Sequence, residues 1–356
     1  MAKGPEEIIR DEIRALAAYH VPVSEGMVKL DAMENPYPLP RPVRERIATL
    51  VAGAEINRYP DAGAARLKLR LQEALEIPEG LELLLGNGSD EIIQMLMLAV
   101  ARPGATVLGV EPAFVMFRLI ASFCGLRFVG VPLRPDFSLD AERTVAAIEQ
   151  HQPALVFIAY PNNPTGNLFD AAAIDRVIAA APGLVVIDEA YHAFAERTYI
   201  HTLRENVNLL VMRTLSKSGF AGLRLGLLVG AGTWLAHVDK VRLPYNVGVL
   251  TQLVAEEALQ HPALLDEQAS AIKSERARLY AALERESRTT PFPSDANFIL
   301  FKTAAAQRTF DALKGRGVLI KNLHGSHPAL EGCLRVTVGR PDENDRFLEA
   351  LREVPA

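Results

Sequence analysis

The chain has 356 residues, 49% of them apolar and 23% charged, with a formal net charge of −5. That is enough apolar content for two packed units, with no cationic excess to serve nucleic acid or an anionic membrane surface. The two cysteines, Cys124 and Cys333, are too few and too scattered for a disulfide framework or a zinc site. No run reaches the roughly 18 apolar residues of a membrane span. The opening MAKGPEEIIRDEIRALAAYH is an acid-containing amphipathic helix pattern, not a signal-peptide core. A soluble, cytoplasmic protein is the expectation.

In chain order, residues 1–40 read as an N-terminal arm, in which MENPYPLPRP is too rich in proline for regular structure. Residues 41–250 read as a large unit. Its first clear strand, residues 81–85, runs into GNGSDE and the helical EIIQMLMLAVARPG. ATVLGVEP then reads as a strand, VMFRLIASFCG as a helix and LRFVGVPL as a strand. ALVFIAY reaches the turn PNNPTG, AAAIDRVIAAAP forms a helix, and LVVIDEAY, LLVMRTLSK and RLGLLVG complete the series. Strands that read as near-continuous apolar runs, spaced by helices, imply an α/β fold with a mostly parallel sheet covered on both faces. Residues 251–356 change pattern. They are helical to about 285, then hold three strand-like runs, ANFILF, GVLIKNL and CLRVTVG, around the helix AQRTFDALKGRG. A smaller α+β unit is expected there.

Three buried strands end in polar groups: Asn163 after ALVFIAYPN, Asp188 after LVVI, and Lys217 after LLVMRTLS. In an open parallel sheet the ligand crevice lies beyond the carboxyl ends of the strands, so these side chains should converge although they lie 25 and 29 positions apart. An amide, an acid and a lysine together suggest an amine-carrying aldehyde cofactor, pyridoxal phosphate. A buried carboxylate such as Asp188 would keep its ring nitrogen protonated. Lys217 would form a Schiff base with the aldehyde and, once displaced, move a proton as a free amine. Asn163 and Tyr191 would donate to the ring oxygen. GNGSDE, between strand and helix, offers free helix-terminal amides to a phosphate, with Ser89 and the Asp90 amide facing it. Ser216 and Arg224 would complete that anchor, the arginine through a charge-assisted pair.

Each motif alone has a plainer meaning. NNPTG is a turn, Asp188 a helix cap, GNGSDE a glycine turn, and Lys217 a solvated lysine. Their shared position at strand ends favours the chemical reading. His324 and His327 of NLHGSH lack an acid or cysteine cluster and read as a loop, so no metal site is expected. GxGxxG is absent, and GNGSDE lacks the lysine of a P-loop.

From LDAMENPY through NRYPD, GNGSDE, YPNNPTG, VVIDEAYHAF, RTLSKSGFAGLRLG, PYNVG, SDANFILF and GVLIKNL to LRVTVGRPDEN, the chain resembles the fold-type I pyridoxal-phosphate enzymes, specifically the histidinol-phosphate aminotransferases. The resemblance implies a homodimer with the site at the subunit interface, where Tyr59 reaches the partner's cofactor phosphate and Phe114 stacks on the cofactor. It implies that Arg335 binds the substrate's anionic group, with Lys321 beside it, and that Tyr19 and Asn35 close over the substrate. The implied reaction moves the amino group of L-histidinol phosphate to 2-oxoglutarate, giving imidazole acetol phosphate and glutamate. An aromatic amino-acid aminotransferase and a phospho-amino-acid decarboxylase are the rival activities. Four departures bear on the substrate. Met33 stands where asparagine is common, Phe114 replaces tyrosine, and Lys321 replaces a second arginine, giving a point charge instead of a fork. The segment from Lys217 to Arg224 is also one residue short.

Overall fold

A computed structural model of the chain describes residues 3–18 and 21–354. The arm holds two single-turn helices, α1 (Pro5–Ile8) and α2 (Asp11–Arg14), and a short strand, β1 (Val28–Lys29). The continuous N-terminal helix suggested by the amphipathic pattern is therefore broken, with Ile9 extended at the end of α1. Neither piece buries a residue, and a helix this short has no stability of its own without an apolar face to bury. Residues 33–40 are irregular, as their prolines require.

Two helices, α3 (Arg41–Ala52) and α4 (Ala65–Ala74), lead into β2 (Glu82–Gly86). Helix and strand then alternate through α5 (Ser89–Val100), β3 (Thr106–Glu111), α6 (Met116–Phe123) and β4 (Arg127–Pro132). The alternation continues with α7 (Ala141–His151), β5 (Leu155–Ala159), α8 (Ala171–Ala180) and β6 (Leu184–Asp188). β7 (Leu209–Thr214) and β8 (Gly226–Gly230) complete a seven-stranded sheet of order β2-β8-β7-β6-β5-β3-β4. β8 runs antiparallel to both neighbours, and the other pairings are parallel. Every residue of β5, β6, β7 and β8 is buried. Alternate side chains feed two cores: Val156, Ile158, Val185 and Val211 on one face, Leu155, Phe157, Val186 and Leu210 on the other. The register Ala159↔Asp188 and Asp188↔Met212 brings the carboxyl ends of β5, β6 and β7 level.

Three further helices follow, α9 (Gly232–Val238), α10 (Val249–Ala258) and α11 (Pro262–Arg285). Ala255, Ala258 and Leu259 join the core on one face of the large sheet, so this unit runs past residue 250. The change of core comes inside α11, whose Ile272, Leu279 and Leu283 pack in the small unit. That unit contains β9 (Thr290–Pro291), β10 (Phe298–Lys302), α12 (Ala306–Gly315), β11 (Val318–Leu319), β12 (Lys321–Asn322), β13 (Cys333–Thr337) and α13 (Pro341–Arg352). GVLIKNL is not one strand. Val318–Leu319 pairs in parallel with β1, while Lys321–Asn322 joins the antiparallel sheet β12-β13-β10-β9. The arm is thereby built into the small unit, with Leu30 and Met33 in its core.

Candidate active site

The level strand ends deliver their polar residues to one crevice. Asp188 closes β6 at 4% exposure, and its Oδ1 accepts the Ala190 amide at 3.0 Å. Burial pushes this carboxyl up to about 7, and the nearby Asp90 and Glu189 carboxylates add to the rise. After β5, Asn163 donates through Nδ2 to the Tyr191 hydroxyl at 3.0 Å and accepts through Oδ1 from Arg335 Nη1. Tyr191 and Arg335 are themselves buried, and burial raises the Tyr191 phenol above its ordinary value. Arg335 Nη2 donates to the Asp31 carbonyl at 3.1 Å, and its guanidinium lies 5.2 Å over the Phe298 ring. Lys321 sits directly across the β12–β13 ladder from Arg335, so the two cationic residues share one face of that sheet.

Past β7 the chain turns through a 3₁₀ segment, Leu215–Lys217, in which the Thr214 hydroxyl accepts the Ser216 amide at 3.2 Å. Lys217 Nζ donates to the Ala32 carbonyl at 3.1 Å and stands 5.9 Å from the centroid of the Tyr191 ring. Burial lowers this amine to about 8, with the positive charges of Arg335 and Arg224 helping and Glu34 and Asp90 opposing. A free amine is thus accessible near neutral pH.

The residues expected to hold an anion gather at the start of α5. Gly88, at φ +85°, precedes α5 and leaves its first turn without a side-chain cap. Ser89 and Asp90 begin that helix. Arg224 Nη1 reaches Ser216 Oγ at 3.4 Å, and its Nη2 lies 3.6 Å from Asp90 Oδ2. Glycine is required at 88 by its positive φ and at 226 by the close approach of the main chain. A Cβ at Gly88 would stand 2.5 Å from Arg224 Nη2, and one at Gly226 would stand 2.7 Å from the Ser89 nitrogen. The short segment before Arg224 is absorbed by a second 3₁₀ turn, Ala221–Leu223, with Gly219 at φ +109°. Arg224 itself turns left-handed at φ 49° and still meets Ser216.

These residues fit pyridoxal phosphate. The Asp188 carboxylate, buried against an amide and two other carboxylates, matches a protonated ring nitrogen. Beside the uncapped start of α5, the Ser89 and Ser216 hydroxyls and the Arg224 guanidinium are the donors that a phosphate would need. A crevice of about 260 Å³ opens beside this constellation, between the arm, the Lys217 loop and the small unit; of the residues expected to hold the cofactor only Ser216 lines it.

The remaining expected residues fall in different places. Phe114 follows β3 at the same end of the sheet, half-buried and edge-on to Phe117 at 5.6 Å. Asn35 is spent on packing the arm: Nδ2 donates to Gln268 Oε1 and Oδ1 accepts the Tyr37 amide, both at 2.9 Å. Tyr59 is 79% exposed and stacks face to face on Tyr245, centroids 4.4 Å apart. Tyr19 lies outside the described residues. His324 and His327 each accept a backbone amide within their loop, and among the described residues no group of three or more His, Cys, Asp or Glu could hold a metal.

Two contributions went unread in the sequence. The carbonyls of Asp31 and Ala32 take Arg335 and Lys217, and a backbone carbonyl carries no sequence signature. Behind Asp188, the fully buried Glu189 accepts from Arg213 Nε at 3.0 Å, from the Thr198 hydroxyl and from the Tyr199 amide. That pair ties the ends of β6 and β7 together. A glutamate in DEAY and an arginine in RTLSK, each beside an apolar run, were the available signal.

With the fold and this constellation in view, the chain belongs to the class I and II aminotransferases, whose family description residues 25–351 match. Within that class it takes its place among the histidinol-phosphate aminotransferases. It is 54% identical to histidinol-phosphate aminotransferase 2 of Cupriavidus pinatubonensis, over 97% of this chain and 96% of that one. The Chromobacterium violaceum histidinol-phosphate aminotransferase is 50% identical over 98% of both chains. The solved histidinol-phosphate aminotransferase of Sinorhizobium meliloti, in complex with pyridoxal-5′-phosphate, superposes with a TM-score of 0.87 at 25% identity, covering 98% of this chain and 97% of that one.

Proposed function

We propose that the chain transfers the amino group of L-histidinol phosphate to 2-oxoglutarate, giving imidazole acetol phosphate and L-glutamate in L-histidine biosynthesis, with pyridoxal phosphate as cofactor. The observation that carries this reading is the buried Arg335, held by Asn163 and by the arm, with Lys321 beside it and the Lys217 amine nearby. Two cationic residues on one sheet face suit a phosphate monoester.

When bound, the cofactor supplies an exchangeable aldehyde and an electron-accepting ring. Asp188 holds a proton at the ring nitrogen, and Tyr191 with Asn163 orients the ring oxygen. Ser89, the Asp90 amide, Ser216 and Arg224 grip the phosphate, and Phe114 covers a ring face. Lys217 Nζ, lowered to about 8 by burial, moves the proton at the substrate carbon. Asn35 buttresses the Lys217 loop through the arm.

A second copy of the chain is the expected partner. Exposed Ile56, Tyr59, Leu69, Leu243, Tyr245 and Leu250 form apolar surface on α4, α10 and the loops beside them, and Tyr59 would serve the neighbouring site from there. Among the described residues no helix is long and apolar enough to cross a membrane; a cytoplasmic location agrees with this reading.

The test is a single-turnover reaction following the visible absorbance of the bound cofactor, with L-histidinol phosphate, L-phenylalanine and L-glutamate added separately. An advantage for histidinol phosphate of at least about a hundredfold over phenylalanine, ~2.7 kcal/mol, is expected. Parity would transfer the site to aromatic amino acids, with Lys321, Phe114 and Met33 as the cause.

A further inference from the structure

Met33 lies in the arm at φ 55°, in the left-handed region that methionine seldom occupies. Neither main-chain group can relax. Its amide donates to Thr337 Oγ1 and its carbonyl accepts Asn297 Nδ2, both at 2.9 Å, and both partners are buried. The small sheet therefore fixes where the side chain points. That side chain is buried, and its Sδ accepts the Tyr191 hydroxyl at 3.5 Å. Asparagine is the residue such a backbone favours, so methionine stands here for the sake of its side chain.

The phenol of Tyr191 has one proton to give. Its oxygen is held by Asn163 Nδ2 at 3.0 Å, while its proton rests on a thioether, a weak acceptor. The ring is thus anchored firmly and the proton lightly. An anionic oxygen arriving beside it would draw the proton into a charge-assisted bond, about twice as strong as a neutral one. An amide carbonyl in place of the sulfur would compete for it.

We propose that Met33 is a positioning residue for Tyr191, holding the phenolic proton on an acceptor weak enough to release it to the cofactor's ring oxygen. This rests on the reading that pyridoxal phosphate lies against Tyr191 and Asn163. Donation to the ring oxygen stabilises the more negative, deprotonated form of the bound cofactor and so lowers the pH at which its visible absorbance titrates.

The experiment is that titration on the holoenzyme, for the parent chain, Met33→Leu and Met33→Gln, each repeated with Tyr191→Phe. Met33→Gln should raise the midpoint by at least about 0.5 pH units, the scale of one hydrogen bond. Met33→Leu, which keeps the volume and offers no acceptor, should not raise it. In the Tyr191→Phe background Met33→Gln should change nothing. An unchanged midpoint in Met33→Gln overturns the assignment. So does an equal rise with leucine, or a rise that persists without the Tyr191 hydroxyl. If the glutamine variant fails to fold, Met33→Asn, which suits the backbone, makes the same comparison. A parent protein that shows no cofactor absorbance overturns the cofactor reading first, and the Met33 assignment with it.

Discussion

At the phosphate end of the site, Gly88, Ser89, Asp90, Ser216 and Arg224 all come from the large unit, and the Arg224 and Asp90 side chains are 50% and 43% exposed. At the end proposed for the substrate, Arg335 is buried and reaches back 172 positions to Asn163 and 304 to the Asp31 carbonyl. The first end is a cradle of helix-terminal amides and one half-exposed cation, drawn from one sheet. The second exists only when the arm and the small unit have packed. Cofactor affinity should therefore depend on local features, while substrate affinity depends on the docking of three segments.

Lys217 stands between the two ends, so its loss should have the largest effect. Lys217→Ala is expected to lower kcat at least about a thousandfold and to abolish the absorbance of the lysine-bound cofactor. A variant that keeps that band would place the reactive amine elsewhere.

The next pair separates the ends directly. Arg335→Gln should raise KM for the phosphorylated substrate by roughly ten- to a hundredfold, the scale of a lost charged hydrogen bond, while cofactor Kd by equilibrium dialysis stays close to the parent value. Arg224→Gln should do the reverse, raising cofactor Kd about tenfold or less, because the half-exposed guanidinium is screened. Equal losses of both kinds in either variant would merge the two ends into one.

The smallest effect concerns pH. In the cofactor-free protein the Asp188 carboxyl is raised from 3.8 to about 7, so between those values the folded form binds more protons than the unfolded one. Stability should then fall as pH rises from about 4 to 7, and the penalty is fully present above 7. Lys217, lowered from 10.5 to about 8, has the opposite sign: stability recovers as pH rises through that upper window. Thermal melts should show a shallower acid-side slope in Asp188→Asn, and cofactor should remove the slope by supplying the cationic partner. A slope identical in Asp188→Asn would assign it to other groups.

Much of the large unit was legible beforehand, because a parallel strand buried on both faces must be an apolar run and its final polar residue must then lie at the crevice. Asn163, Asp188 and Lys217 were readable on that ground, and the glycines of GNGSDE on the ground of close approach. The small unit was read less well. GVLIKNL looked like one strand, yet its two halves pair with different partners, and partner choice leaves no mark on a seven-residue run. The region after 250 is similar: α10 is helical and amphipathic either way, and only packing shows that Ala255, Ala258 and Leu259 lie against the large core.

The sequence by itself determined the α/β class, the order of the chemical groups along the chain and which polar residues end the buried strands. Those properties follow from periodicity and side-chain chemistry within a few residues. Only the tertiary structure decided that the arm's Asp31 and Ala32 carbonyls meet Arg335 and Lys217, that Asn163 is shared between Tyr191 and Arg335, and that Met33 takes the phenolic proton. Apart from the bond of Asn163 to Tyr191, 28 positions apart, those contacts bridge more than a hundred residues or run through main-chain oxygens that every residue carries alike. Their positions come from how the arm and the two units pack, which no local pattern encodes.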